Sequence, residues 1–380
     1  MADVALTVGG REYTGWKSAR VTRGIESIAG TFELEVFDGV GWPVRGGDEC
    51  SVLVAGEVVL TGYVDRRSAA ISGTDSRLTV SGRDRAGDLV DCSADLPSGE
   101  IWNVDPLAFA RKVAAPFGVP VALQRGVRAE QSTGKVSIDP GESAFDAIDR
   151  VCRLAGLLPV SDGRGGLVLT RAGTATATSA IVEGENLLSA SVDSDVTGRF
   201  ARYVVLGQAS GGDDFDVEAS VTVRAEARDA GVKRSARRLV VRGEGNLTRA
   251  QAKRRAEWEA TSRAARGDAY TVTVQGWTQA DGSVWPINAR VRVACPRLGV
   301  DEDLLIFRAT YSIDPSMGTV TELQLMRPDA FLPQPVVPDR GGGDAFGLLD
   351  AEPPGPWRSP SDLQQPKPIV WVPPSWERTR

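Results

Sequence analysis

Thirteen lysines and arginines crowd residues 224–266 against five acidic residues, a local net of +8 inside a chain whose formal net charge is −6. Arg234, Arg237, Arg238, Lys253, Arg254 and Arg255 form the densest part of this cluster. Clustered cations neutralise phosphates or meet an acidic protein surface. Base stacking has little support, because Trp258 is the segment's single aromatic residue. An acidic neighbour fits at least as well, and so does another copy of this chain, whose remainder carries a net near −14. A solvated helical face is the plain alternative.

Other chemistry is thin. The chain has no histidine, which removes Ser-His-Asp and Cys-His catalysis and the commonest zinc ligand. Carboxylate chemistry survives that exclusion. Glu100, Asp105, Glu142 and Asp146 are the least implausible pairable set for glycoside hydrolysis, although helix caps explain the same positions. Cys50, Cys92, Cys152 and Cys295 are scattered, none forms CxxC, and buried structural thiols are the better reading for Cys50, Cys152 and Cys295. Gly126 to Lys135 lacks Walker spacing, no GxSxG elbow is present, and SDGRGG (161–166) lacks calcium ligands at the required offsets. No metal or cofactor is expected. Exposed use of Trp16, Trp277 and Trp285 in glycan binding competes with packing in the core.

The elements that would position these residues are mainly β with α+β parts. Phe32, Leu34 and Val36 alternate with Glu33 and Glu35, the period of a strand with one buried face. Residues 1–95 therefore predict an antiparallel β-barrel or a strongly bent sheet. Residues 96–178 predict a small α/β domain, with helices in 105–118 and 141–156, Ser143 as N-cap, and a hairpin turning at 162–166. A second, discontinuous barrel is expected over 179–223 and 268–332. It is interrupted by a basic helical insertion at 224–267, where TRAQAKRRAEWEATSRAARG has helical composition. Eleven of the 22 prolines fall in 333–380, so an extended or disordered tail is expected there, with Trp357, Trp371 and Trp376 as possible docking residues. The N-terminus MADVALTVGG lacks the pattern of a secretion signal, and synthesis in the cytoplasm is expected.

The two barrels share landmarks in one order. Ser18-Ala19-Arg20-Val21, Gly30-Thr31-Phe32, Trp42-Pro43-Val44 and a closing strand pair at 61–90 match Ser189-Ala190-Ser191-Val192, Gly198-Arg199-Phe200, Trp285-Pro286-Ile287 and 304–332. An ordered repeat predicts duplication of one β unit.

With these landmarks in place, the chain resembles the baseplate hub protein of contractile-tailed, Mu-like bacteriophages, related to the T4-type hub family. The resemblance covers about residues 4–332. It rests on GREYTGWKSARVTRGIESIAGTFELEVF, VVLTGYVD, VSGRDRAGDLVDCS, IDPGESAFDAIDRVCRLAGLLPVSDGRGGLVLTRAG, QGWTQADGSVWPINARVRVACPRLGVDEDLLIF and ELQLMRPDAF. It implies a virion protein of the tail baseplate, assembled in the host cytoplasm as a homotrimer whose two barrels per chain make a pseudo-sixfold ring. The implied partners are the sixfold tail tube or tape-measure protein, a threefold central spike and other baseplate proteins. DNA would pass the channel without sequence-specific binding, and the hub itself would not be an enzyme. A carboxylate-dependent cell-wall-degrading tail enzyme and a glycan- or receptor-binding tail protein are the competing classes.

Overall fold

The computed structural model describes residues 4–335 apart from 38, 74, 97–98, 130–132, 210–220 and 315–317. Its first part holds β1 (Val4–Val8), β2 (Arg11–Tyr13), β3 (Ser18–Gly24), β4 (Thr31–Phe37), β5 (Glu49–Val54), β6 (Glu57–Ile71) and β7 (Ser76–Asp84). The middle part holds α1 (Gly87–Asp91), β8 (Glu100–Val104), α2 (Pro106–Ala114), β9 (Val121–Leu123), β10 (Thr133–Ser137), α3 (Ala144–Leu154), β11 (Leu158–Ser161) and β12 (Leu167–Thr170). Short strands β13 (Ala175–Thr176) and β14 (Ile181–Val182) lead into β15 (Leu187–Ser194). Then come β16 (Arg202–Ala209), β17 (Val221–Arg228), β18 (Arg238–Asn246) and α4 (Arg249–Ala265). The chain returns through β19 (Asp268–Gln275), β20 (Ala289–Cys295), β21 (Val300–Asp314) and β22 (Gly318–Met326), and ends in a 3-10 turn at Pro328–Phe331.

The duplication is written in the pairing. The order β3-β4-β7-β6-β5 in the first unit is repeated as β15-β19-β22-β21-β20 in the second. Register agrees residue by residue. Ala19 faces Leu34, Leu34 faces Val80 and Val80 faces Arg67. In the second unit Ala190 faces Val272, Val272 faces Leu323 and Leu323 faces Ala309. Even the irregularity repeats, because β6 shifts register between Val64 and Arg66 and β21 between Ile306 and Arg308. A bulge of this kind bends a strand and lets the sheet curl.

Two landmarks of the sequence reading need correction. Gly198-Arg199-Phe200 does not match Gly30-Thr31-Phe32; it precedes β16, and the counterpart of β4 is β19. Residues 202–209 and 221–223 also do not belong to the second barrel. β16 lies between β17 and β18 in a separate three-stranded sheet, so the insertion contains strands as well as a helix. An apolar run such as Tyr203-Val204-Val205 reads alike in either sheet, because period and composition do not name a strand's neighbour.

The two β units are joined directly. β21 pairs with β3, from Gly24 opposite Arg308 to Ala19 opposite Ile313, giving one 14-stranded sheet. Among the described residues the pairing does not run full circle around either unit. Each instead folds over its own face, since β6 pairs with β5 through its first half and with β7 through its second. One apolar cluster runs through both, from Val4, Leu34 and Val80 to Val272, Tyr311 and Leu325.

The middle part is α/β. β9, β11 and β12 form one small sheet, and β8 pairs with β10. Ser143 caps α3, its Oγ accepting from the Asp146 N–H at 3.0 Å. The 162–166 hairpin turn forms as the sequence predicts, with Asp162 Oδ1 accepting from the N–H groups of Arg164 (2.7 Å) and Gly166 (2.9 Å).

A buried polar latch ties this part to the first β unit. Asp84 is 2% exposed and accepts from Ser161 Oγ at 2.6 Å and from the Ala86 N–H at 2.8 Å. Arg23 donates to the Ser161 carbonyl at 3.1 Å. Burial raises the Asp84 carboxyl above its ordinary value, against the opposing pull of these hydrogen bonds and of Arg23. A carboxyl raised in the folded state contributes stability that is complete below its unfolded pKa and is lost as pH rises through the folded one. The difference in melting temperature between wild type and Asp84→Asn should therefore shift in favour of the variant as pH rises through the interval just above ordinary carboxylate titration. Thermal melts of both proteins across pH check this, and a pH-independent difference refutes it.

Candidate functional site

The basic cluster lies on one face of the insertion unit. Thr248 caps α4, its Oγ1 accepting from the Gln251 N–H at 3.3 Å while Gln251 Oε1 accepts from the Thr248 N–H at 2.8 Å. Ala252, Ala256 and Ala260 are buried along the helix, and Ala252 and Ala256 pack with Val205, Val223 and Ala225 of the sheet. Alanines there let helix and sheet approach closely. The opposite face is left to Arg249, Lys253, Arg254 and Glu257, all exposed.

The six cations singled out from sequence divide into two groups. Arg237 is spent internally: it donates to the carbonyls of Arg199 (2.9 Å) and Thr197 (2.5 Å) and covers the Phe200 ring at 4.9 Å. Arg255 likewise donates to Glu259 Oε1 at 2.9 Å and lies over Trp258 at 5.2 Å. Arg234, Arg238 and Arg254 are exposed, and Lys253 meets Glu257 at 3.7 Å. The free basic surface is thus smaller than composition suggests.

Trp258 does structural work that sequence did not reveal. Its Nε1 donates to the Leu332 carbonyl at 2.8 Å, and Arg266 Nε donates to the Ala330 carbonyl at 2.9 Å. α4 is thereby tied to the end of the second β unit. Beside it a cleft of about 360 Å³ is lined by Asp195, Arg199, Arg255, Trp258 and Arg263. Arg199 already faces Asp229, Arg255 and Arg263 face Glu259, and Arg266 is bonded to the Ala330 carbonyl, so it offers no ready anion site.

The other candidates separate. Asp105 accepts from the Ala108 N–H at 2.9 Å, Asp146 accepts from Ser143 Oγ at 2.8 Å, Glu142 holds Arg150 at 2.9 Å and Glu100 holds Lys135 at 2.9 Å. Each carboxylate serves a cap or an ion pair. Trp16, Trp277 and Trp285 are buried in the common core, which removes them from any exposed sugar platform. Cys50, Cys152 and Cys295 are buried, and burial pushes the Cys50 thiol up to about 12. Trp357, Trp371 and Trp376 lie outside the described residues.

Two sheet edges complete the picture. Apart from an isolated bridge between Leu187 and Glu183, β15 pairs among the described residues with β19 alone. β6 runs on past the end of β5, whose pairing stops at Tyr63, so among the described residues Arg66–Ile71 pair only with β7. The sequence did carry a signal for the second edge: strand alternation fails in Asp65-Arg66-Arg67-Ser68-Ala69-Ala70-Ile71.

Three family models match separate parts of this architecture. The Mu phage baseplate assembly protein GpP-like N-terminal domain covers residues 3–84, ending with β7. The second domain of the baseplate hub protein gp44-like family covers 86–171, and the fourth domain of GpP covers 248–334, starting at the Thr248 cap. Over 360 residues the chain is 34% identical to the baseplate hub protein gp44 of Escherichia phage Mu, spanning 92% of this chain and 94% of that one.

The chain belongs to the Mu-type baseplate hub family.

It is a structural protein of a bacteriophage tail, and its place is the virion baseplate. Solved relatives agree with the assignment of this hub chain. The 43 kDa tail protein of prophage MuSo2 from Shewanella oneidensis is 30% identical, with a TM-score of 0.76 over 87% of this chain and 99% of its own. A tail protein from Neisseria meningitidis MC58 is 26% identical, with a TM-score of 0.74 over 88% and 98%.

Proposed function

We propose that the hub acts as a homotrimeric symmetry adaptor, a ring of six similar β units that joins a sixfold tail tube to a threefold central spike. The observation that carries this reading is the duplication itself, two units of one strand order and one register fused edge to edge. Three such chains supply six near-equivalent positions, while the insertion, carried by only one unit of each chain, keeps the particle threefold. The sheet faces turned from the core carry Thr31, Glu33, Thr79, Ser81, Thr271 and Thr273, which suits a hydrated wall past which DNA moves without base readout.

Partners at the two faces would be the tube or tape-measure protein and the spike, with other baseplate proteins around the rim. Arg234, Arg238, Lys253 and Arg254 suit an acidic protein neighbour, and the tail tryptophans Trp357, Trp371 and Trp376 suit docking onto one. Assembly takes place in the host cytoplasm under this reading, and the hub has no catalytic role of its own. Light scattering with electron microscopy of the purified chain should give a trimer and a ring; a monomer, or a particle without a ring, overturns the reading. Peptidoglycan zymography should be blank, and a clearing band would restore the enzyme alternative.

A further inference from the structure

We propose that neighbouring copies join by adding β15 of one chain to the open edge of β6 of the next, in the antiparallel register that β3 uses on β21 within each chain. The inference rests on the ring reading and specifies its joint. In β21, Arg308–Ile313 is paired on both sides, with β22 and with β3. Its counterpart in β6 is Arg66–Ile71, placed by the shared register shift and by the pairing of Arg67 with Val80 and of Ala309 with Leu323. That stretch has β7 on one side and no strand on the other among the described residues. β15 is the counterpart of β3, and its stretch Ala190–Ser194 likewise pairs, among the described residues, with β19 alone. Each chain therefore carries one completed junction and the two separate halves of a second.

Transferring the internal register sets Ala190 opposite Ile71, Ser191 opposite Ala70, Asp193 opposite Ser68 and Asp195 opposite Arg66. The chemistry of the two edges agrees with that alignment. Ile71 is 74% exposed, whereas its counterpart Ile313 is packed against the core. Thr22 and Thr310 share a 3.1 Å hydroxyl contact in the internal junction, and their counterparts Asp193 and Ser68 form an acceptor and a donor. Asp195 faces Arg66 directly and Asp193 faces it diagonally, an arrangement in which opposite charges across strands attract. Asp195 already accepts from the Thr197 N–H and hydroxyl, both at 2.7 Å, and a carboxylate has acceptor sites left for a guanidinium. An exposed strand edge with an apolar residue at its end is a standing template for another strand.

The test uses the full chain with exposed Cys92 replaced by serine. Ser191→Cys and Ala70→Cys together, oxidised or treated with a short bis-maleimide, should give covalent dimers and trimers on a non-reducing gel, and neither single variant should. Directly opposed Cβ atoms lie within reach of such links. Arg66→Glu should raise the concentration at which the trimer dissociates about tenfold, and adding Asp195→Arg should restore it. A trimer by light scattering that does not cross-link at this pair overturns the proposed joint and leaves the ring standing. A monomer overturns the ring itself.

Discussion

Replacing Tyr311 with alanine is expected to lower the unfolding free energy by about 4 kcal/mol. Tyr311 is fully buried on β21, the strand that pairs with β20, β22 and β3 and so carries the junction between the two units. Its ring belongs to the cluster shared by both, and its hydroxyl donates to the Trp285 carbonyl. Burial pushes its phenol up to about 12, so it stays a neutral donor throughout ordinary pH. Alanine leaves a cavity where two sheets meet and an unpaired buried carbonyl as well. Phenylalanine keeps the volume and removes only the donor, so Tyr311→Phe should lose about 1–2 kcal/mol. Urea unfolding of both variants tests the pair. A loss below about 1 kcal/mol for alanine would mean that the joint is not a shared core.

Glu259→Ala is expected to remove about 3 kcal/mol, but locally. Glu259 is 4% exposed on α4 and takes hydrogen bonds from Arg255 at 2.9 Å and Arg263 at 2.7 Å. A carboxylate buried between two guanidiniums is held by both; its removal leaves two like charges facing each other, with Arg255 largely out of water. The helix should loosen from β16 and β17, and the Trp258 and Arg266 ties to residues 330–332 should weaken with it. Hydrogen exchange should accelerate in 202–209 and 221–265 while β3, β4 and β7 keep their protection, because opening can be confined to one cooperative part. Uniform acceleration would show that the insertion does not fold as a separate layer. Glu259→Gln, which keeps the shape and one acceptor oxygen, should have a smaller effect.

Some of this was legible in residue order. The alternation of Phe32, Leu34 and Val36 gave β4, the Ser143 cap gave α3, and Asp162 with its glycines gave the 162–166 turn. These features depend on contacts a few residues apart, which local pattern can report. The motif Ser-Ala-Arg-Val against Ser-Ala-Ser-Val located β3 and β15 as true counterparts. Gly198-Arg199-Phe200 misled because three residues can match by chance, and the real partner of β4 lies beyond the insertion. Among the basic residues, charge counting could not tell Arg237 and Arg255, folded back onto carbonyls and Glu259, from the exposed Arg234, Arg238 and Arg254.

By itself, the sequence determined that this chain is mainly β, repeats a unit and lacks histidine chemistry, because periodicity, composition and motif order are properties of the chain; its place among tail hubs came from the resemblance of its long segments to that family. Only the tertiary structure decided which strands pair. It moved β16 and β17 out of the second unit, fused the two units through β21 and β3, buried Trp16, Trp277 and Trp285, and left edges of β6 and β15 without a second strand among the described residues. Backbone hydrogen bonds are the same for every residue type, so a strand's partner is chosen by packing and chain connectivity across hundreds of residues, and local pattern holds no record of that choice.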